Sequence, residues 1–129
     1  MSTALPEVLD LLGRQSHAID GGDGPGWAAT FTADGVFRSP TYPEPVRGRA
    51  ALTRFAAAFA PANPRTRHVV TGTCVDPGGA DALVARSTLL VVRTESDGAV
   101  RILRVATLRD RLVRVDGRWL IAERAVSVD

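Results

Sequence analysis

The sequence predicts an α+β domain in which three N-terminal helices pack on a strongly curved antiparallel sheet and enclose a pocket. Three observations predict it. Apolar residues recur at helical spacing as far as Ala60, in segments separated by glycine and proline breaks. From Arg65 onward the texture changes to strands, with arginines mostly alternating with apolar residues. Three turn signals, Pro77-Gly78-Gly79, Ser96-Asp97-Gly98 and Asp116-Gly117, then split this half into four β segments joined tightly enough to form an antiparallel meander.

Each element has a local reason. Ala4 to Asp20 reads as the first helix: Pro6 suits a first turn, and Val8, Leu11, Leu12, Ala18 and Ile19 recur at helical spacing. Gly21-Gly22 ends it, because glycine takes the left-handed conformation after a helix without penalty. A short second helix carries Trp27, Ala28 and Phe31. Asp34-Gly35 turns the chain into a short strand, Val36 to Ser39, and Pro40 to Pro45 form a loop. The third helix, Arg49 to Ala60, presents Leu52, Phe55, Ala56 and Phe59 on one face, and Pro61 and Pro64 close it. The four long strands are Thr66 to Val75, Ala82 to Thr94, Ala99 to Val115 and Arg118 to Val128. With no internal repeat, linker or low-complexity tract, residues 1–129 are expected to form a single domain.

Composition removes several classes of function. Hydrophobic residues make up 45% and charged residues 23%, which is not the balance of a disordered chain. The longest apolar runs, such as Thr88 to Val92, are strand-sized, against the roughly 20 residues of a spanning helix, so no membrane is expected. Met1 to Asp10 lacks the basic start and apolar stretch of a leader, and the single Cys74 allows no internal disulfide; both point to the cytoplasm. All sixteen basic residues are arginine, but they are scattered and the net charge is only +2, so no nucleic-acid partner is expected. His17, His68, Asp20 and Cys74 have no metal-ligand spacing, and the glycines from Gly21 to Gly26 follow a helix, not a strand. The expectation is therefore no metal and no cofactor.

Two residues could carry chemistry. Asp20 ends a helix, where the macrodipole disfavours a negative charge by up to ~1 kcal/mol; this suits a base or a group that orients one, though Asp20 falls off the centre of the stripe of Val8, Leu11 and Ile19, so the residues alone favour a solvated turn beside Gly21-Gly22. His68 opens a strand beside Val69, as a proton carrier near neutrality or as a core histidine satisfying one hydrogen bond.

Several short runs, in order, carry a resemblance to a known family. They are Ala18-Ile19-Asp20 with Gly22-Asp23; Phe31 with Ala33-Asp34-Gly35-Val36-Phe37; Gly48 to Leu52; Arg67-His68; and Asp116-Gly117-Arg118-Trp119. Together they resemble the SnoaL-like branch of the nuclear-transport-factor-2-like superfamily, relatives of scytalone dehydratase, ketosteroid isomerase and the polyketide cyclases. The resemblance implies a cystatin-like cone and pairs Asp20 with His68 as an orienter and its catalytic histidine. It also implies that Ile102, Arg104, Ala106, Leu108, Asp110 and Leu112 share the cavity face of one strand, Asp110 being either a cavity group or half of a cross-strand ion pair at the rim with one of the many arginines. Trp27, Phe31, Phe37, Ser39, Tyr42 and Val92 complete the expected lining, with Ser39 and Tyr42 at the mouth. Where the dehydratase has two tyrosines, a second histidine, a serine and an asparagine, this chain has Ile19, Phe37, Val92, Ala106 and Leu108. Ser39 and Gln15 stand where ketosteroid isomerase has its catalytic aspartate and a tyrosine. The chain should therefore be neither enzyme. The resemblance implies a cofactor-independent dehydratase, isomerase or cyclase acting on a small apolar ring or polyketide-like compound. The alternatives are a hydrophobic-ligand binder that does no chemistry and an accessory subunit like those of dioxygenases; homodimerisation through the sheet is expected by analogy.

Overall fold

A computed structural model describes residues 4–128; the opening residues of the Met1 to Asp10 stretch lie outside them. Helix α1 (Ala4–Asp20) buries Val8, Leu12, Gln15 and Ile19, which recur every three or four residues and so form one stripe against the sheet. Asp23 caps the next helix, α2 (Gly24–Ala28), by accepting a hydrogen bond from the Gly26 N–H at 2.9 Å. Gly24 presses against the backbone of Thr53 and the side chain of Ala57, so α2 sits on α3 (Gly48–Ala62) closer than any Cβ would allow. Helix α3 carries Pro61 inside its last turn instead of ending before it.

Phe31 does not belong to the second helix. It opens strand β1 (Phe31–Arg38), because Thr30 pulls the chain out of the helix. The Thr30 hydroxyl donates to the Trp27 carbonyl at 2.6 Å, while the Thr30 carbonyl accepts from the Ile121 N–H at 2.9 Å on the last strand. The Asp34-Gly35 turn proves to be an irregularity inside β1, whose register against that strand shifts between Phe31 and Val36. A Cβ at Gly35 would stand 2.8 Å from the Phe31 Cβ, so the kink needs glycine.

After the proline loop a two-residue strand, β2 (Val46–Arg47), pairs antiparallel with β1. The meander follows as expected: β3 (Thr66–Pro77), β4 (Ala82–Thr94), β5 (Val100–Val115) and β6 (Arg118–Val128), each antiparallel to the next. The six strands lie in the order β2-β1-β6-β5-β4-β3 and do not close into a barrel. Because β1 runs parallel to β6, the sheet is mixed and not antiparallel throughout. No hairpin links those two strands, so no tight turn dictates their direction.

Bulges interrupt the meander three times. They lie between Thr71 and Cys74 on β3, at Leu103 on β5 and at Ala122 on β6. Each bends its strand and reverses which residues face the helices, since side chains alternate. The helices cover the inner face. An aromatic group of Trp27, Phe31, Phe37, Tyr42 and Phe55, with ring centroids 4.8–6.3 Å apart, joins α2, α3 and the proline loop to β1.

Candidate functional site

Between the helices and the inner sheet face lies a cavity of about 50 Å³, room for a few waters. Its wall is mainly apolar: Ile19, Trp27, Phe37, Phe55, Phe59, Val70, Leu89, Val91, Leu108 and Val126. Its polar lining is Gln15, Ser16, Ser39, Tyr42, His68, Arg104 and Arg124.

Asp20 and His68 meet across the junction of α1 and β3. Asp20 Oδ1 lies 2.8 Å from His68 Nδ1, and both carboxylate oxygens accept from the His68 backbone N–H, at 3.1 and 3.2 Å. A carboxylate can only accept, so Nδ1 carries the ring proton, and neutral His68 presents Nε2 as an acceptor. Both side chains are largely buried, 15% and 12% exposed, so water screens the contact weakly. Phe59 packs on the imidazole with ring centroids 4.9 Å apart and limits its rotation. The strand N–H also explains how a carboxylate is tolerated at a helix C-terminus: the donors of β3 offset the unfavourable helix dipole. Asp20 itself lies behind His68 and does not line the cavity.

Of the residues expected around it, Trp27, Phe37, Ser39, Tyr42, Arg104 and Leu108 line the cavity. Phe31 lies beneath Trp27, at 4.8 Å between ring centroids, and does not reach it. Ala106 faces inward but packs with Leu89, Val91 and Leu108 in the wall. Val92 is turned to the outer face: it pairs with Ile102, itself 62% exposed, while Val91 pairs with Arg104 and faces the cavity. The Leu103 bulge displaces Ile102, because alternation carried through it puts that residue on the wrong side, whereas Val92 faces outward by plain alternation from Val91 on β4.

Asp110 is fully buried but outside the lining. It holds Arg124 through two parallel contacts, Arg124 Nε to Oδ1 at 2.8 Å and Nη2 to Oδ2 at 2.9 Å. This is the cross-strand ion pair, set in the interior and not at the rim. Its arginine was missed by the sequence reading. Counting by alternation from Ile121 places Glu123 inward and Arg124 outward, and the Ala122 bulge inverts them. The signal available was Asp110 itself, an acid on an apolar face that required a cation opposite.

Tyr42 lines the cavity, its ring packed on Phe37 and Phe55 with centroids 6.3 and 5.0 Å apart. Burial pushes its phenol above the usual tyrosine range, and the nearby Arg104 cation draws it part of the way back. It therefore stays a neutral hydrogen-bond donor at neutral pH. Among the described residues no group of three or more His, Cys, Asp or Glu could hold a metal ion. No helix among them is long and apolar enough to cross a membrane.

An Asp–His contact at one end of an apolar cavity, between helices and an open mixed sheet, agrees with what the whole sequence matches: the SnoaL-like domain, over residues 2–125. The chain belongs to the SnoaL-like domain family. Solved structures agree. A protein from Catenulispora acidiphila, determined in complex with S-DNPA, is 39% identical and superposes with a TM-score of 0.86 over 99% of this chain and 96% of its own. ActVI-ORFA from Streptomyces coelicolor is 33% identical, with a TM-score of 0.88 over 99% and 98% of the two chains. An NTF2-like protein with a cystatin-like fold from Novosphingobium aromaticivorans, 23% identical over 95% of this chain and 80% of its own, shares the fold with a TM-score of 0.83. No curated protein matches the sequence.

Proposed function

We propose that this SnoaL-like protein is a cofactor-independent acid–base enzyme of the dehydratase, isomerase or cyclase type, acting on a small apolar ring or polyketide-like compound. The 2.8 Å contact between Asp20 and His68 Nδ1 carries the proposal. With its proton held on Nδ1, neutral His68 keeps a lone pair on Nε2, and the residue lines the cavity. It takes a proton from a carbon next to a carbonyl, and Asp20 stabilises the imidazolium that forms without itself being protonated. The same imidazolium returns the proton: to a departing hydroxyl, which leaves as water, or to another carbon. The apolar wall excludes bulk water and strengthens each polar contact within it. That a 39% identical relative holds the small molecule S-DNPA supports a small-molecule ligand here.

General acid–base catalysis contributes typically 10²–10⁴-fold. A panel of β-hydroxy ketones of increasing size, from acyclic to ring-fused, followed by absorbance, tests for it in the wild-type protein and in His68→Gln; a ring enters only if the lining side chains part, since about 50 Å³ holds only a few waters. The variant should lose at least about 100-fold in kcat while melting as a folded protein. Equal turnover in a folded His68→Gln protein refutes the mechanism.

The outer sheet face exposes Val69, Ile102 and Val105, which supports pairing of two copies through that face. Sedimentation at micromolar concentration checks it, and a monomer there rejects it.

A further inference from the structure

We infer that the crevice between α1 and β3 is a water and proton port at the back of the site, through which His68 trades its ring protons with bulk solvent while the cavity stays closed. This rests on the acid–base reading above and adds to it how the imidazolium is discharged. The crevice, about 330 Å³, runs along Leu9, Gly13 and Ser16 on the helix and His68, Val69 and Val70 on the strand. Leu9 and Val69, at its sides, are exposed. Ser16, His68 and Val70 also line the inner cavity, so at this seam the wall is one side chain thick. Asp20 lines this crevice and a second one beside Arg65 and Arg67, but not the cavity. The carboxylate that steadies the imidazolium therefore meets water from behind, while the apolar wall keeps water from the front.

The width of the crevice depends on Gly13. Glycine inside a helix is less stable than alanine, so a stable helix alone would carry a side chain there. Gly13 lies within α1, and a Cβ added to it would meet nothing within 4 Å among the described residues. Neither close packing nor a left-handed backbone calls for glycine, and what its missing side chain leaves is open space beside the seam. The port changes the chemistry. In a cavity sealed by its ligand, a proton taken from carbon could return only to the same molecule. With water at the seam, the imidazolium gives one proton to a crevice water, which carries it to bulk as hydronium, and neutral imidazole is restored; the reverse transfer reloads it. Ser16 supplies the hydroxyl that both spaces share, able to accept a hydrogen bond and donate one.

Exchange of the His68 Cε1 hydrogen in D2O, read by mass spectrometry of the peptide that contains it, reports solvent at the ring and needs no ligand. Its plateau rate above the ring's titration midpoint separates access from any change in proton affinity. In the wild-type protein this rate should lie within about tenfold of that of the exposed His17, although the His68 side chain is only 15% exposed. Gly13→Met puts a long side chain into the crevice from a residue that does not line the cavity, and it raises helix propensity. It should slow His68 exchange at least about fivefold, because water then reaches the ring only through local openings. Glu44→Trp narrows the crevice beside the proline loop, where Ser39, Tyr42 and Val126 are shared with the cavity, and should slow exchange less than about twofold. Less slowing than this by Gly13→Met, equal slowing by Glu44→Trp, or a more protected His68 in the wild-type protein overturns the port. The catalytic reading fails differently: full turnover in folded His68→Gln removes it and leaves these exchange rates as they are.

Discussion

Replacing Asp20 measures how much of the site's order one carboxylate supplies, and it needs no substrate. Oδ1 accepts from both the His68 backbone N–H, at 3.1 Å, and Nδ1, at 2.8 Å, while Oδ2 adds a longer contact to the same N–H. Asp20→Ala removes all three and leaves the N–H at the start of β3 without its acceptor. Hydrogen bonds to charged groups contribute ~1.5–3 kcal/mol each, but these three share one carboxylate and do not add, so the net loss should be about 2–3 kcal/mol. Asp20→Asn can keep the two Oδ1 contacts and loses the charge and the Oδ2 contact, for about 1 kcal/mol. In a chain of 129 residues, 1 kcal/mol shifts Tm by about 3–5 °C. The two variants should therefore melt in the order wild type, Asn, Ala, with the last step the larger. Ring ¹⁵N shifts of His68 supply a second readout. The wild-type neutral ring should hold its proton on Nδ1, and Asp20→Ala should move it toward Nε2. A ring that keeps the same tautomer in Asp20→Ala, or a stability loss under 0.5 kcal/mol, refutes the claim that Asp20 orients the histidine.

Tyr42 is the chain's one tyrosine, so ultraviolet titration reads it alone. Burial disfavours the phenolate and the Arg104 cation favours it, so the midpoint should lie above 10, and Arg104→Gln should raise it further; a fall on removing the arginine reverses the assigned cause. The unfolded chain loses this proton first as pH rises, so Tyr42 makes stability decline from about pH 10 upward. Val91→Thr buries a hydroxyl against the cavity wall and should cost about 1–3 kcal/mol in denaturant unfolding, whereas Val92→Thr on the outer face should cost under about 0.5; equal losses contradict the inward turn of Val91. Gly24→Ala drives a Cβ into the Thr53 backbone and Ala57, so a loss of about 1–3 kcal/mol is expected, and a neutral substitution there rejects the close α2–α3 contact.

The order of elements was legible because each depends on its own residues. The stripe of Val8, Leu12 and Ile19 makes α1 whatever surrounds it, and Pro77-Gly78-Gly79, Ser96-Asp97-Gly98 and Asp116-Gly117 turn the chain by their own backbone freedom. The approach of Asp20 to His68 was legible only through the resemblance, since nothing in either segment by itself points to the other 48 residues away.

What the sequence determined alone is the set of helices, the four-stranded meander and the supply of one acid and one imidazole. The tertiary structure decided which side chains turn inward. Alternation survives only where strands pair without interruption, and one extra residue at Leu103 or Ala122 reverses everything beyond it. For that reason Ile102 belongs to the outer face, and Arg124 belongs to the cavity. The parallel seam of β1 on β6 is likewise a property of the assembled sheet, where Thr30 finds its partner in Ile121 only after the meander is in place.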